Sequence, residues 1–165
     1  MNPFDELLRR VELTSKARYH SSSRLHYQNL FSQWTLTLLV VGQIVIALVP
    51  ALGLRQNFAA NYLTFGSIFF AILVLAYSLL LGMGNYSARA IKLHECGMEL
   101  GRLARNLYQY TSPSVSGTTA VYDDVASRYY NILEKYENHS RADYLRAHYE
   151  YYSGKSATLL KIQRG

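Results

Sequence analysis

Residues 34–54, WTLTLLVVGQIVIALVPALGL, and residues 62–84, YLTFGSIFFAILVLAYSLLLGMG, decide the fold of this chain. Neither stretch contains Asp, Glu, Lys or Arg, and Arg55 is the single charged residue between them. At about 1.5 Å per helical residue they extend roughly 31 and 34 Å, which is enough to cross the hydrocarbon core of a bilayer. A core helix of a soluble domain needs only one apolar stripe. Two segments that are apolar all round therefore predict two membrane-spanning helices.

The distribution of charge orients these helices. Residues 1–33 contain five Lys and Arg, residues 85–165 contain eleven, and the connection at residues 55–61 contains one. Basic residues stay on the cytoplasmic side of a membrane, so both termini are expected in the cytoplasm and the short connection outside. The predicted fold is an all-α membrane protein, built as a two-transmembrane-helix hairpin in contact with the lipid bilayer.

The flanking segments are predicted to form the cytosolic part of a single domain that covers residues 1–165. Residues 1–33 are expected to be an N-terminal amphipathic helix, which begins at Asn2 and Pro3 with acidic residues in its first turn. Residues 85–165 are expected to form a cytosolic helical bundle. No proline occurs between residues 85 and 110, so the second membrane helix is predicted to continue as one rod of about 45 residues to Tyr110.

Local signals divide the rest of the bundle. The stretch TSPSVSGTT at residues 111–119 is typical of a linker. A helix is expected to start at Thr118 or Thr119, and Ser140 with Asp143 resembles the capping box of a final helix that ends at Gly154.

Tyrosines are abundant from Tyr108 onward, a part of the chain that contains ten of the 15. Stacking on bases is one interpretation of so many rings, and packing between helices is the other. Packing is favoured because five side chains recur at alternating spacings of three and four, as in a coiled coil. This predicted packing seam consists of Tyr122, Val125, Tyr129, Ile132 and Tyr136. No direct sequence-specific binding of nucleic acid is expected.

Signatures of enzymes and metal sites do not appear in the sequence. It has no nucleophile elbow, no phosphate-binding glycine loop and no histidine pair at metal-ligand spacing. Cys96 is the only cysteine, which excludes an intramolecular disulfide. We therefore expect no catalytic residues, no metal and no cofactor.

Small and polar residues follow one face of the membrane helices. Five of them lie within about 60° of one another on the second helix at 100° per residue, and Gln43 lies near the middle of the first. The predicted pore or oligomer face consists of Gln43, Thr64, Ser67, Ala71, Ser78 and Gly82. Such a face permits close contact between helices or lines a narrow aqueous path. Two helices alone do not enclose a channel, so a homo-oligomer is expected.

These features, together with the run Glu137-Asn138-His139-Ser140-Arg141-Ala142-Asp143-Tyr144, make the chain resemble the SLATT family of bacterial two-transmembrane effector domains. The run is similar to the signature of a branch often encoded beside reverse transcriptases or nucleotide-signalling enzymes. The resemblance implies that Asn138, His139, Asp143 and Tyr144 are the motif positions. Physically, Asn138 and Ser140 are expected to cap the adjacent helices, and a contact between His139 and Asp143 to fix the bend as a hinge.

The resemblance also implies a function. Such effectors are thought to act in anti-phage and conflict systems by permeabilising or disrupting the inner membrane, with death or arrest of the infected cell. The chain has no room for a sensor domain, so its trigger is expected to be a partner or a nucleotide signal from a neighbouring gene product, such as a reverse transcriptase or a nucleotide cyclase.

Two other hypotheses about the function stay open at this point. The first is a non-conducting membrane anchor or scaffold that recruits a cytosolic enzyme through the tyrosine-rich helices. The second is a small multidrug-type transporter, which is disfavoured because the membrane helices contain no acidic residue.

Overall fold

The computed structural model describes residues 3–51, 60–111 and 117–162. These residues form helices and contain no strand, which confirms the all-α prediction. The five α-helices are α1 (Pro3–Ala51), α2 (Ala60–Gly84), α3 (Tyr86–Tyr108), α4 (Thr119–Lys135) and α5 (Arg141–Ile162). A short 3-10 turn, Gln109–Thr111, follows α3.

The chain divides into two compact units. The apolar unit comprises His26–Ser87, and the bundle unit comprises Met1–Leu25 together with Ala88–Gly165. Helix α1 contributes its first part to the bundle unit and the remainder to the apolar unit. The predicted amphipathic helix and the first predicted membrane helix are thus segments of one uninterrupted helix.

The apolar unit consists of two helices that are long and apolar enough to cross a membrane. None of the residues in their most apolar windows is buried. Large side chains such as Leu38, Phe65 and Leu80 are exposed. Most of the predicted outer connection falls on residues 52–59, which lie outside the described residues, as do residues 112–116 of the predicted linker.

The bundle unit is organised around one face of α1. Seven buried side chains recur on it at alternating spacings of three and four, which is the repeat of a coiled coil. They are Phe4, Leu7, Val11, Thr14, Arg18, Ser21 and Leu25. Leucines of α3, including Leu100 and Leu107, and two side chains of α4 complete the core. Each fully buried leucine contributes about 1.5–3 kcal/mol of hydrophobic free energy.

Helices α1 and α3 approach each other closely and run antiparallel. The Ser15 hydroxyl donates to the Gly97 carbonyl at 2.9 Å, and the Ser22 hydroxyl donates to the Ala90 carbonyl at 2.8 Å. The partner number falls by seven as the α1 number rises by seven, which fixes the antiparallel register. A Cβ added at Gly97 would lie 3.1 Å from the ring of Tyr19, so a glycine suits this close contact.

Two predicted helix boundaries are wrong. The rod expected from the second membrane helix is broken at Asn85, whose φ of 43° lies in the left-handed region. Asparagine tolerates this conformation better than most residues, so α2 ends there and α3 begins at Tyr86. The final helix does not end at Gly154 but continues to Ile162. A single glycine costs a helix only about 1 kcal/mol, which the rest of the helix offsets.

Candidate functional site

The segment between α4 and α5 contains the predicted motif. Helix α4 ends at Lys135, and Tyr136 is extended with φ of −125° and ψ of 149°. The Asn138 side-chain oxygen accepts a hydrogen bond from the backbone N–H of His139 at 3.0 Å. Asn138 therefore shapes the connection, whereas α4 is capped by a hydrogen bond from the backbone N–H of Tyr136 to the carbonyl of Leu133.

Ser140 begins α5 in the manner predicted. Its hydroxyl oxygen accepts from the backbone N–H of Asp143 at 3.3 Å and donates to Oδ2 of the same residue at 2.6 Å. The other predicted start is also present, because the Thr118 side chain accepts from the backbone N–H of Val121. Both helix N-termini thus follow the capping signals of the sequence.

Asp143 is the centre of a buried polar cluster that joins α5 to α1. Its side chain is 6% exposed. Oδ2 accepts from the Ser21 hydroxyl at 2.6 Å, and the Arg24 guanidinium donates to both carboxylate oxygens, at 3.2 and 2.9 Å. Burial favours the neutral acid, but the hydrogen bonds from Arg24, Ser140 and Ser21 together hold the pKa of Asp143 well below its usual range. The carboxylate is therefore ionised at physiological pH and fixes α5 against α1.

Arg18 and His139 lie beside this cluster. Arg18 is only 2% exposed, and its guanidinium donates to the Glu137 carbonyl. Nε of Arg18 and Nδ1 of His139 are buried and have no hydrogen-bond partner among the described residues. Burial lowers the pKa of His139, and the positive charge of Arg18 lowers it further. Burial and the Arg18 charge thus favour the neutral form of the His139 ring.

The contact expected between His139 and Asp143 is electrostatic, since the Asp143 carboxylate partly offsets the lowering of the His139 pKa by burial and by Arg18, but no hydrogen bond joins them within the described part of the chain. The polar hydrogens around the Asp143 carboxylate come from Ser21, Arg24 and Ser140 instead. The imidazole of His139 stacks on the ring of Tyr144 with centroids 5.7 Å apart. All four motif positions therefore lie at or beside the bend, and Asp143 is the one that hydrogen-bonds to α1 in the part of the chain that the structure describes.

The motif also reaches α3. Nε of Arg89 lies 3.1 and 3.0 Å from the two carboxylate oxygens of Glu137. Both side chains are close to half exposed, so this ion pair contributes less than the buried cluster. Together the two ion pairs connect the bend to α1 and to α3.

The predicted packing seam of α4 lies in the core. Val125 and Tyr129 are buried, and the other three seam residues pack against the same cluster. The hydroxyl of Tyr129 is 3.0 Å from Oγ1 of Thr14, and the hydroxyl of Tyr136 donates to Glu99 at 3.0 Å. Burial, together with the hydrogen bond to the Glu99 carboxylate, raises the pKa of Tyr136 to about 12.

Two residues of the predicted pore or oligomer face, Gln43 and Ser67, are joined by a hydrogen bond. Nε2 of Gln43 donates to the Ser67 carbonyl at 2.7 Å, which makes α1 and α2 neighbours at this level. Oε1 of Gln43 is buried and has no partner among the residues described. The Ser78 hydroxyl donates to the carbonyl of Leu75 in its own helix. The remaining members are exposed: Thr64, Ala71 and Gly82.

Sequence reasoning missed the partners of Asp143 on α1. Of these partners, Ser21 occupies a position of the buried repeat that apolar residues fill nearer the N-terminus, whereas Arg24 lies outside the repeat. Polar residues at buried positions of a helix require hydrogen-bond partners. A polar residue within the apolar repeat of α1 therefore signals a buried polar contact. It does not identify the partner, which lies 122 residues away from Ser21.

Comparison with known proteins gives one match. The model of the family described as "SMODS and SLOG-associating 2TM effector domain family 5" matches residues 1–164. This match confirms the resemblance inferred from the sequence. No curated protein and no solved structure matches the chain significantly.

Proposed function

The chain belongs to family 5 of the SLATT two-transmembrane effector domains, and from this premise we propose that it is a triggered, membrane-permeabilising effector of a bacterial conflict or anti-phage system. In this proposal it acts in the inner membrane as a homo-oligomer, with both termini in the cytoplasm and without catalysis of its own. Activation depolarises the cell and leads to its arrest or death.

The exposed surface of the apolar unit carries this proposal. Within the apolar unit, α1 and α2 expose large apolar side chains, and none of the residues in their most apolar windows is buried. Exposing such surfaces to water would cost roughly 25 cal/mol per Å², so they require lipid or other helices around them. The terminal segments contain many more basic residues than the connection between the two apolar stretches, which supports cytoplasmic termini.

Exposed small residues on α2 support assembly into an oligomer. Gly82 has open space around it, since a Cβ added there meets no atom within 4 Å. Small residues on an exposed helix face let a second copy pack closely in lipid.

Control of the assembly is assigned to the contacts between α1 and the bend. Helix α1 contains Arg24, which is paired with Asp143, and continues without interruption to Gln43 in the apolar unit. The rod expected after α2 is broken at Asn85, so α1 is the better candidate for transmitting a change. In this proposal a trigger weakens the cluster around Asp143 and allows the segment of α1 in the membrane to rearrange.

The experiment is a membrane-potential measurement in cells that express Asp143→Asn. Loss of the Arg24 ion pair is expected to release the closed state and depolarise the cells without a trigger. The matched control is Asp124→Asn, which removes an exposed ion pair with Arg128 on α4 and is expected to leave the potential unchanged. An unaltered potential with Asp143→Asn, at equal abundance in the membrane, would contradict the proposal.

A second pair of variants separates this function from that of a passive anchor. In the Asp143→Asn background, Ser67→Leu is expected to restore the potential because it replaces a hydroxyl, 3.5 Å from Nε2 of Gln43, by a bulky apolar side chain on the predicted pore or oligomer face. A scaffold would tolerate Ser67→Leu and would instead lose partner binding with Tyr136→Ala, whose hydroxyl contacts Glu99 on the bundle.

A further inference from the structure

A polar cavity of about 320 Å³ lies in the bundle unit, between α1, α4 and α5. Its walls include Arg9, Arg10 and Thr14 of α1, Tyr129 of α4, and Tyr144 and His148 of α5. The volume lies at the lower end of the range for small-molecule sites. We propose that this cavity binds a free nucleotide, whose phosphate contacts the two arginines and whose base stacks on the rings of α5.

Two guanidinium groups supply the anion-binding side. Nε of Arg9 is buried and has no partner among the described residues, although Nη1 of the same side chain donates to the Tyr152 hydroxyl at 2.9 Å. The side chain of Arg10 is 58% exposed, and among the described residues its ion-pair partner is Glu6, one turn earlier in the helix. An exposed pair of this kind is weak and is easily exchanged for a phosphate. Guanidinium groups bind phosphate oxygens through paired hydrogen bonds.

Aromatic rings supply the opposite wall. His148 lies between two tyrosines of α5, with its ring centroid 6.1 Å from that of Tyr144 and 4.6 Å from that of Tyr152. Tyr144 continues this row by stacking on His139 at the bend. The two tyrosines are 38% and 41% exposed, so their rings have open surface. Stacking of a base on such rings is typical of nucleotide recognition and tolerates any base.

A hydroxyl pair completes the lining. Oγ1 of Thr14 and the hydroxyl of Tyr129 lie 3.0 Å apart and are buried. Both groups donate and accept hydrogen bonds, which suits the ribose hydroxyls or the edge of a base. The combination of cations, rings and hydroxyls fits a phosphorylated nucleoside better than it fits an inorganic anion or an apolar molecule.

The cavity lies where a bound nucleotide would affect the contact between α1 and α5. Tyr144 follows Asp143 in the chain, so a nucleotide held between Arg10 and Tyr144 joins the same two helices as the Arg24 ion pair. Occupancy changes the balance of forces between α1 and α5. This regulatory role rests on the proposed function, whereas binding itself does not.

The test is isothermal titration of the full chain in detergent micelles with each of the four ribonucleoside 5′-monophosphates, with inorganic phosphate and adenosine as partial ligands. At least one monophosphate is expected to bind at one site per chain and at least tenfold more tightly than either partial ligand. Saturation by inorganic phosphate with equal affinity, or no saturable binding of any of the four monophosphates, would overturn the proposal.

Variants locate the site. Arg10→Gln and His148→Ala alter exposed side chains and are each expected to weaken binding by about tenfold. Arg128→Gln removes an equally exposed arginine of α4 and is expected to leave binding unchanged. Equal affinity in all three variants would refute this location. Membrane potential is not part of this measurement, so its outcome is independent of whether the protein permeabilises membranes.

Discussion

The guanidinium of Arg24 on α1 holds the carboxylate of Asp143 on α5 through two hydrogen bonds, across 119 positions of sequence. Bidentate pairing of this kind fixes both distance and orientation. Because Asp143 also lies one turn after the Ser140 cap, the same side chain ends the bend and attaches it to α1.

Asp143→Asn tests the energy of this contact. The amide keeps the shape but loses the charge, and Arg24 remains partly buried without its anion. We expect the free energy of unfolding to fall by about 2 kcal/mol, measured by thermal unfolding in detergent. Asp124→Asn removes an exposed ion pair within α4 and is expected to cost less than about 0.5 kcal/mol. Equal midpoints for the two variants would show that the cluster is energetically unimportant.

His139 makes the bundle sensitive to pH. Its folded-state pKa is below the ordinary value of 6.5, so the unfolded chain binds the proton more readily. Stability is expected to be full above pH 6.5 and to decrease as the pH falls below that value. Asp143 keeps its charge in this window because its pKa is lowered as well. Denaturant unfolding of His139→Gln should show a flatter pH profile, whereas His26→Gln, an exposed site in α1, should leave the profile as it is.

Asn85 is expected to maintain the break between α2 and α3. Its φ of 43° suits glycine at least as well as asparagine. Asn85→Gly should therefore leave thermal stability within about 0.5 kcal/mol, whereas Asn85→Val should cost about 1–2 kcal/mol. If Asn85→Val proves as stable as the glycine variant, the left-handed conformation is not maintained in solution.

Cys96 reports the opening of the bundle. It is fully buried in the core, and burial raises the pKa of its thiol. Reaction with a maleimide should be at least about 100-fold slower in the folded protein than in the unfolded chain. Asp143→Asn should accelerate this reaction, and Asp124→Asn should not. A rate equal to that of the unfolded chain would mean that the core described for α1, α3 and α4 is not closed.

The sequence and the structure agree where local chemistry decides the outcome. Two uncharged stretches are sufficient to predict long apolar helices, and side-chain oxygens at Thr118 and Ser140 are sufficient to predict where α4 and α5 begin. The seam from Tyr122 to Tyr136 follows from a repeat of three and four residues, and its members lie in or against the core.

Predictions from the sequence fail where contacts between distant residues or small energy differences determine the structure. The choice between a continuous rod and a break at Asn85 is a matter of about 1–2 kcal/mol, and the sequence around it contains no proline. The role of Asp143 depends on Ser21 and Arg24, which come from another helix. A single sequence shows that Ser21 interrupts an apolar repeat, but it does not show which distant side chain Ser21 meets.

The single tryptophan, Trp34, offers the most direct test of whether lipid surrounds α1 and α2. The protein is reconstituted in vesicles whose lipids have bromine near the headgroup, midway along the acyl chain or at its end, and quenching of tryptophan fluorescence is measured. A double variant, Trp34→Phe with Ile44→Trp, moves the probe ten residues further along α1. Another, Trp34→Phe with Tyr108→Trp, places it on the exposed end of α3.

The account predicts that Trp34 is quenched most by bromine near the headgroup, that the probe at position 44 is quenched most by bromine at the chain end, and that the probe at position 108 is not quenched. Absence of quenching at every depth for positions 34 and 44 would contradict the account, because these side chains would then lie outside the membrane.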